Sequence, residues 1–338
     1  MKMSIILQLK NWRANKLEYN KRNARTWSLL GARGTFGLAM QLLAETNDFM
    51  IVSADLSISS GLSKFCELYP EKFVNVGIAE QNMIGVAAGI ASNGENVFAT
   101  SFAPFITERC LDQIRMNLGY MKHPVKLVGL SSGFEQGLSG SSHYGLEDAA
   151  IMRMMHNITV VTPADCTEIV KTIESAMNYD NPMYIRLTGG RRVPIIYSDD
   201  YDFEIGKGIL LREGDDVLIV ANGMTVYESL KAAEKLEEKG ISVAVIDMHT
   251  TFPIDDDIII NNVPNKKLIV TIEEHSISGN LGTAVAEILA EKSNMPKLVR
   301  IGIPDEFPKA GKHEFMMEKY GLTAQGIESK ITELVKKL

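Results

Sequence analysis

A chain of 338 residues, 45% hydrophobic and 23% charged, is long enough for more than one core, and two domains of roughly 150 residues each are expected. A formal charge of −7 leaves no basic footprint for nucleic acid or anionic lipid, so a site for an anionic substrate must be a local cluster. Cys66, Cys110 and Cys166 are widely spaced with no Cys-x-x-Cys, which excludes a disulfide framework or a cysteine zinc site. The only apolar run near the start, Ile5-Ile6-Leu7, is too short for a signal peptide, and no later run has the length of a membrane helix. A cytoplasmic location is therefore expected.

Residues 1–22 mix Leu, Trp and Asn with Lys10, Arg13, Lys16, Lys21 and Arg22 and read as a surface helical arm. Thr26 to Leu43 carries helical periodicity, and Phe49 to Ala54 is a buried strand ending at Asp55, where a Ser- and Gly-rich loop begins. Phe73 to Val76 is a short strand, and Gly77 turns the chain into a helix rich in small residues with Glu80 in its first turn. Val97 to Ala99 is a strand, followed by a Phe102-Ala-Pro-Phe105 turn and a helix from Glu108 to Met116. Val125 to Leu130 is the next strand, and a glycine-rich loop from Ser132 to Gly145 leads into a helix from Glu147 to Met155. Thr162-Pro-Ala-Asp165 marks a helix start with Thr as N-cap, and Met183 to Leu187 is a closing strand.

Residues 191–206, with Pro194, Ser198 and four acidic residues, are the linker candidate. Beyond it lie strands at Val217–Ala221, Val243–Ile246, Lys267–Ile272 and Leu298–Ile301, and helices at Glu228–Lys239, Gly282–Glu291 and Thr323–Lys336. This alternation predicts an α/β chain of two domains, 23–190 and 207–338, each a mostly parallel sheet covered by helices.

By itself Glu80 reads as an ordinary carboxylate at the positive end of a helix, His143 as a polar loop residue and the Phe102/Phe105 pair as core. The run Val76-Gly-Ile-Ala-Glu80-Gln-Asn82, however, resembles the strand-to-helix segment of the pyrimidine-binding domain in transketolases and 1-deoxyxylulose-5-phosphate synthases, which use thiamine diphosphate. That likeness extends from about Arg25 to the end of the chain. It implies that Glu80 touches the aminopyrimidine ring and activates the cofactor, as a carboxyl whose proton affinity is raised by burial. It also implies that Phe102 and Phe105, in Thr100-Ser-Phe-Ala-Pro-Phe105, seat that ring. His143, in Ser139-Gly-Ser-Ser-His-Tyr144, is implied to handle substrate protons. Arg33 and Ser59 fall where the family binds the sugar phosphate, and Asp55 begins the loop beside the cofactor.

Five positions depart from the pattern. The family's third aromatic is Glu108 here, the Asp that precedes the histidine by four positions is Ser139, and a His-Asp pair after the strand is Ser131-Ser132. An expected Arg after Leu187-Thr188 is Gly189, with Arg191 and Arg192 downstream. The Gly-Asp-Gly motif that holds the diphosphate through a divalent cation is absent. Gly214-Asp-Asp216 reads as a turn, and Ser278-Gly-Asn-Leu-Gly282 lacks a dinucleotide fingerprint. The resemblance thus implies the C-terminal subunit of a split transketolase. Its N-terminal partner would supply most of the Mg2+ and diphosphate ligands, around a homodimer core within a heterotetramer. The implied reaction moves a two-carbon ketol unit from a ketose, commonly a phosphate, to an aldose, with branched or sulfonated sugars still open. A 2-oxoacid dehydrogenase β-type subunit and a non-catalytic scaffolding subunit are the alternatives.

Overall fold

The computed structural model describes residues 17–338, so residues 1–16 of the expected arm lie outside the described residues. Helix α1 (Lys21–Leu43) starts inside that expected arm because Asn20 caps it, accepting a hydrogen bond from Asn23 N at 3.0 Å. The helix is interrupted at Gly31, with φ 75° and ψ 177°. A Cβ at that position would lie 2.0 Å from the Gly190 carbonyl oxygen, so only glycine lets this turn settle on the 190–191 backbone.

The first sheet contains β1 (Met50–Ser53), β2 (Phe73–Asn75), β3 (Val97–Phe102), β4 (Lys126–Leu130), β5 (Thr159–Val161) and β6 (Met183–Arg186), all mutually parallel where they pair, in the order β5-β6-β4-β3-β1-β2. Alternation of side chains along each strand feeds two cores. Phe98, Val128 and Ile185 face α1 and α7 (Cys166–Met177), whereas Val97, Ala99 and Leu127 face α3 (Glu80–Ala91) and α6 (Asp148–Met154). Between them lie α2 (Ser63–Leu68), α4 (Ala103–Ile106) and α5 (Leu111–Ile114). The helix expected over Glu108–Met116 is broken into a 3-10 turn at Glu108–Cys110, α5 and a π turn at Arg115–Tyr120.

The second sheet has the order β12-β11-β8-β9-β7, from β7 (Ile209–Arg212), β8 (Val217–Ala221), β9 (Val243–Asp247), β11 (Leu268–Ser276) and β12 (Lys297–Ile303), with only β7 antiparallel. Its helices are α8 (Thr225–Glu237), α9 (Asp256–Asn262), α10 (Leu281–Ala290), α11 (His313–Lys319) and α12 (Ala324–Val335). One strand crosses over: β10 (Thr250–Phe252) pairs antiparallel with β5, Thr250 opposite Val161, and so extends the first sheet to seven strands. The capping of α7 also differs from expectation. Asp165, not Thr162, is the N-cap, accepting from Glu168 N at 2.9 Å, while its second oxygen accepts from Ile196 N and Tyr197 N. A three-residue shift of the cap thereby ties the segment between the sheets to the helix.

That tie is reinforced by Tyr197 and Tyr201, which stack with centroids 3.9 Å apart and donate to Asp247 and Glu168 respectively. A second junction is ionic. Arg186 and Asp148, 1% and 0% exposed, pair at 2.9 Å, and Arg186 also donates to the carbonyls of Gly145 and Glu274. Tyr184 donates to the same carboxylate at 2.6 Å. An arginine buried this deeply is tolerated because every charged contact is satisfied. No helix among the described residues is long and apolar enough to cross a membrane.

Candidate functional site

The segments flagged in the sequence converge at the carboxyl ends of the parallel strands, the edge where open α/β sheets bind ligands. Glu80 opens α3 five residues after β2, and Phe102 ends β3, which runs three residues further than expected. Phe105 sits in α4, and His143 in the loop that follows β4, closed at its base by Gly133 N donating to Gly145 O at 2.8 Å. Phe102 meets Phe105 edge to face with centroids 6.1 Å apart, and Phe105 meets His143 at 5.1 Å. Together they form an aromatic corner of the kind that holds a flat heterocycle.

Glu80 is 4% exposed. Its Oε2 accepts from Arg109 Nη1 at 2.9 Å, while Oε1 has only a long contact, 3.5 Å, from Ser101 Oγ. The Arg109 guanidinium lies over the Phe105 ring, 4.1 Å from its centroid, so one cation joins the carboxylate to the aromatic corner. The lone buried acid read from the sequence is therefore an ion-paired one. A space of about 460 Å³ opens beside these groups, lined by Phe105, Arg109, Glu108, Ser142 and the almost fully exposed Phe307. Burial, helped by Asp148, pushes Glu108 up to about 7. His143 Nδ1 lies 2.9 Å from Ser142 Oγ, which leaves Nε2 for other partners.

Arg33 and Ser59 also come together: Arg33 Nη1 donates to the Ser59 carbonyl at 3.2 Å. Arg33 Nε is 3.3 Å from Glu135 Oε1, and the Glu135 side chain is 7% exposed. Burial pushes Glu135 up to about 7, against the pull of Arg33. Asp55 is exposed, its backbone strained to φ 59°, and it exchanges two hydrogen bonds with the Asn75 side chain across the ends of β1 and β2. Gly189, where an arginine was expected, has φ 84°, and a Cβ there would meet Met224 Sδ at 2.7 Å. A side chain at that point would be strained.

Three groups at the site escaped the sequence reading: Arg109, Glu135 and a pair from the second domain, Glu274 near the end of β11 and His313 at the start of α11. His313 Nε2 is 3.0 Å from Glu274 Oε1. Burial alone would lower the imidazole, but Glu274 outweighs it and raises His313 to about 9. Among the described residues no group of three or more His, Cys, Asp and Glu side chains could hold a metal ion.

Fold and site together define a two-domain α/β protein with a carboxylate and an aromatic corner at the carboxyl edge of its first sheet. The transketolase pyrimidine-binding domain matches residues 31–191, and the transketolase C-terminal domain matches residues 206–327. A Methanocaldococcus jannaschii protein described as a transketolase C-terminal section is 41% identical over 310 residues, covering 91% of this chain and 97% of that protein. An Actinobacillus succinogenes protein, one of the subunits of an apulose-4-phosphate transketolase, is 38% identical, covering 83% of this chain and 90% of that protein. A split-gene transketolase solved as an inactive β4 tetramer superposes with a TM-score of 0.80 at 39% identity, covering 89% of this chain and 97% of that one. The chain belongs to the transketolase family.

Proposed function

We propose that the chain is one subunit of a split, thiamine-diphosphate-dependent transketolase that moves a two-carbon ketol unit from a ketose to an aldose. An N-terminal partner subunit would bring the diphosphate and Mg2+ ligands. The observation that carries this reading is the unbroken run of contacts from Glu80 through Arg109 and Phe105 to His143.

The residues present fit an aminopyrimidine. Phe102 and Phe105 offer an apolar corner, and Glu80, held on one oxygen by Arg109, keeps Oε1 free to accept a hydrogen bond from a protonated ring nitrogen. Bound thiamine diphosphate supplies the electron sink for carbon–carbon cleavage. His143, with Nδ1 engaged by Ser142, offers Nε2 to exchange a proton with a substrate hydroxyl. Arg33 and Ser59 meet the far end of the sugar. Asp55 acts on the cofactor side by fixing the β1 and β2 loop ends through Asn75.

The test is purification of the complex from its native source, followed by thiamine diphosphate binding and ketol-transfer assays. Transfer that falls by orders of magnitude in Glu80→Ala is the expected result. Decarboxylation of a 2-oxoacid in its place would assign the chain to the 2-oxoacid dehydrogenase type. Full activity of the variant would mark a non-catalytic subunit.

A further inference from the structure

Arg33, placed by the proposed function at the far end of the sugar, already gives Nε to Glu135 and Nη1 to the Ser59 carbonyl inside the protein. The opposing carboxylate is itself unfinished. Glu135 Oε2 is buried with no hydrogen-bond partner among the described residues, and so is Ser131 Oγ, four positions earlier in the same loop. Glu135 lines a cleft of about 350 Å³ between the two sheets. Its ionisable walls are balanced, with Arg191, Arg192 and His313 against Glu135, Glu228 and Glu314. A cation at Gly189 would sit on a backbone of φ 84°, strained for any side chain, and would have to displace the end of Met224.

Such a cleft offers a dianion no net positive charge. A phosphate beside Glu135 would set like charges together in a partly buried space, where Coulomb terms are stronger than in water. A hydroxyl suits the same pair, because it can donate to the Glu135 carboxylate while its oxygen accepts from a free N–H of the guanidinium. We propose that the chain selects sugars whose end remote from the reacting carbon carries free hydroxyls and no phosphate or sulfonate, with Glu135 as the specificity-determining residue. This rests on the ketol-transfer reading, and it sets the chain apart from its relative named for apulose-4-phosphate.

The experiment uses the complex with its partner subunit, loaded with thiamine diphosphate, at pH 8, where Glu135 is ionised. Xylulose, fructose and sedoheptulose are each compared with and without a terminal phosphate as ketol donors. Cofactor binding is measured first by calorimetry, because it tests the proposed function without reference to Glu135. A complex that fails to bind cofactor overturns both readings. With cofactor bound, kcat/KM is expected to favour the unphosphorylated donors by about tenfold or more, the effect of one unit charge at a half-buried site. Glu135→Gln is expected to shift that ratio toward the phosphorylated donors by a similar factor. A phosphorylated donor preferred by the unmodified complex, or a ratio unmoved by Glu135→Gln, overturns the inference alone, whereas no turnover of any donor overturns both readings.

Discussion

At one end of the site Glu80, Phe102, Phe105 and Arg109 come from two short segments of the chain and surround an apolar corner with one ion pair. At the other, Arg33, Ser59 and Glu135 come from three separate segments and meet residues 190–192 and a helix of the second domain. Each end holds a buried carboxylate paired with an arginine. The cation at Glu80 stacks on an aromatic ring in its own segment, whereas the cation at Glu135 arrives from a helix one hundred positions away. A contiguous end can be recognised as a motif and changes little in chemistry. An end assembled from distant segments can change its charge by a single residue in one loop, which is where substrate choice can diverge.

The largest effect is expected at the contiguous end. Glu80→Ala should lower ketol transfer by the complex about 10²–10⁴-fold, the usual worth of a group that positions a transferring proton. Intact assembly with the partner subunit in sedimentation would confirm that the loss is chemical. A comparable loss from removing Arg33 would blur the contrast between the ends.

Next comes the wall behind both ends. Asp148→Asn leaves Arg186 buried without its counter-charge and should destabilise the chain by about 3–5 kcal/mol in urea unfolding. Arg186→Met together with Asp148→Asn should recover part of that loss.

The far end should also be visible in the pH dependence of stability. Glu135 is raised from 4.5 to about 7, so the folded chain keeps a proton that the unfolded chain releases above 4.5. Stability from this group is therefore greatest below pH 4.5 and falls as pH rises toward 7, with a slope of at most ~1.4 kcal/mol per pH unit. Asp247, raised from 3.8 to about 7 chiefly by burial, adds the same sign over a slightly wider window. Glu135→Gln should flatten the slope in denaturant titrations at pH 5, 6 and 7, and an unchanged slope would show that Glu135 does not hold its proton in the folded chain.

Phe105→Ala should have the smallest effect, weakening thiamine diphosphate binding by the complex roughly two- to tenfold, in keeping with ~0.5–1.5 kcal/mol for an aromatic contact. Calorimetry would measure it, and unchanged donor preference would confirm that the two ends act separately.

Legibility in the sequence followed the same division. Val76 to Asn82 and Thr100 to Phe105 could be read directly because strand, turn and helix signals adjoin the chemical residues. The alternation of strands and helices likewise exposed both sheets. Arg109 was invisible because an arginine in a 3-10 turn carries no signal of what it pairs with. Glu135 lay hidden in a glycine-rich loop whose path depends on the second domain. β10 is only three residues long, too short for any periodicity to register, and the α7 cap moved from Thr162 to Asp165 because the carboxylate there had backbone donors at residues 196 and 197 to satisfy as well.

Local patterns along the chain thus determined the α/β class, the family likeness and the candidate residues at the carboxyl edge of the first sheet, since hydrophobic period, glycine turns and short motifs act between neighbours. Only the tertiary structure decided that Glu80 is ion-paired, that Glu135 faces Arg33, and that a strand of the second half completes the first sheet. Charge pairing and burial are set by groups distant in sequence, and no local spacing records which of them will meet.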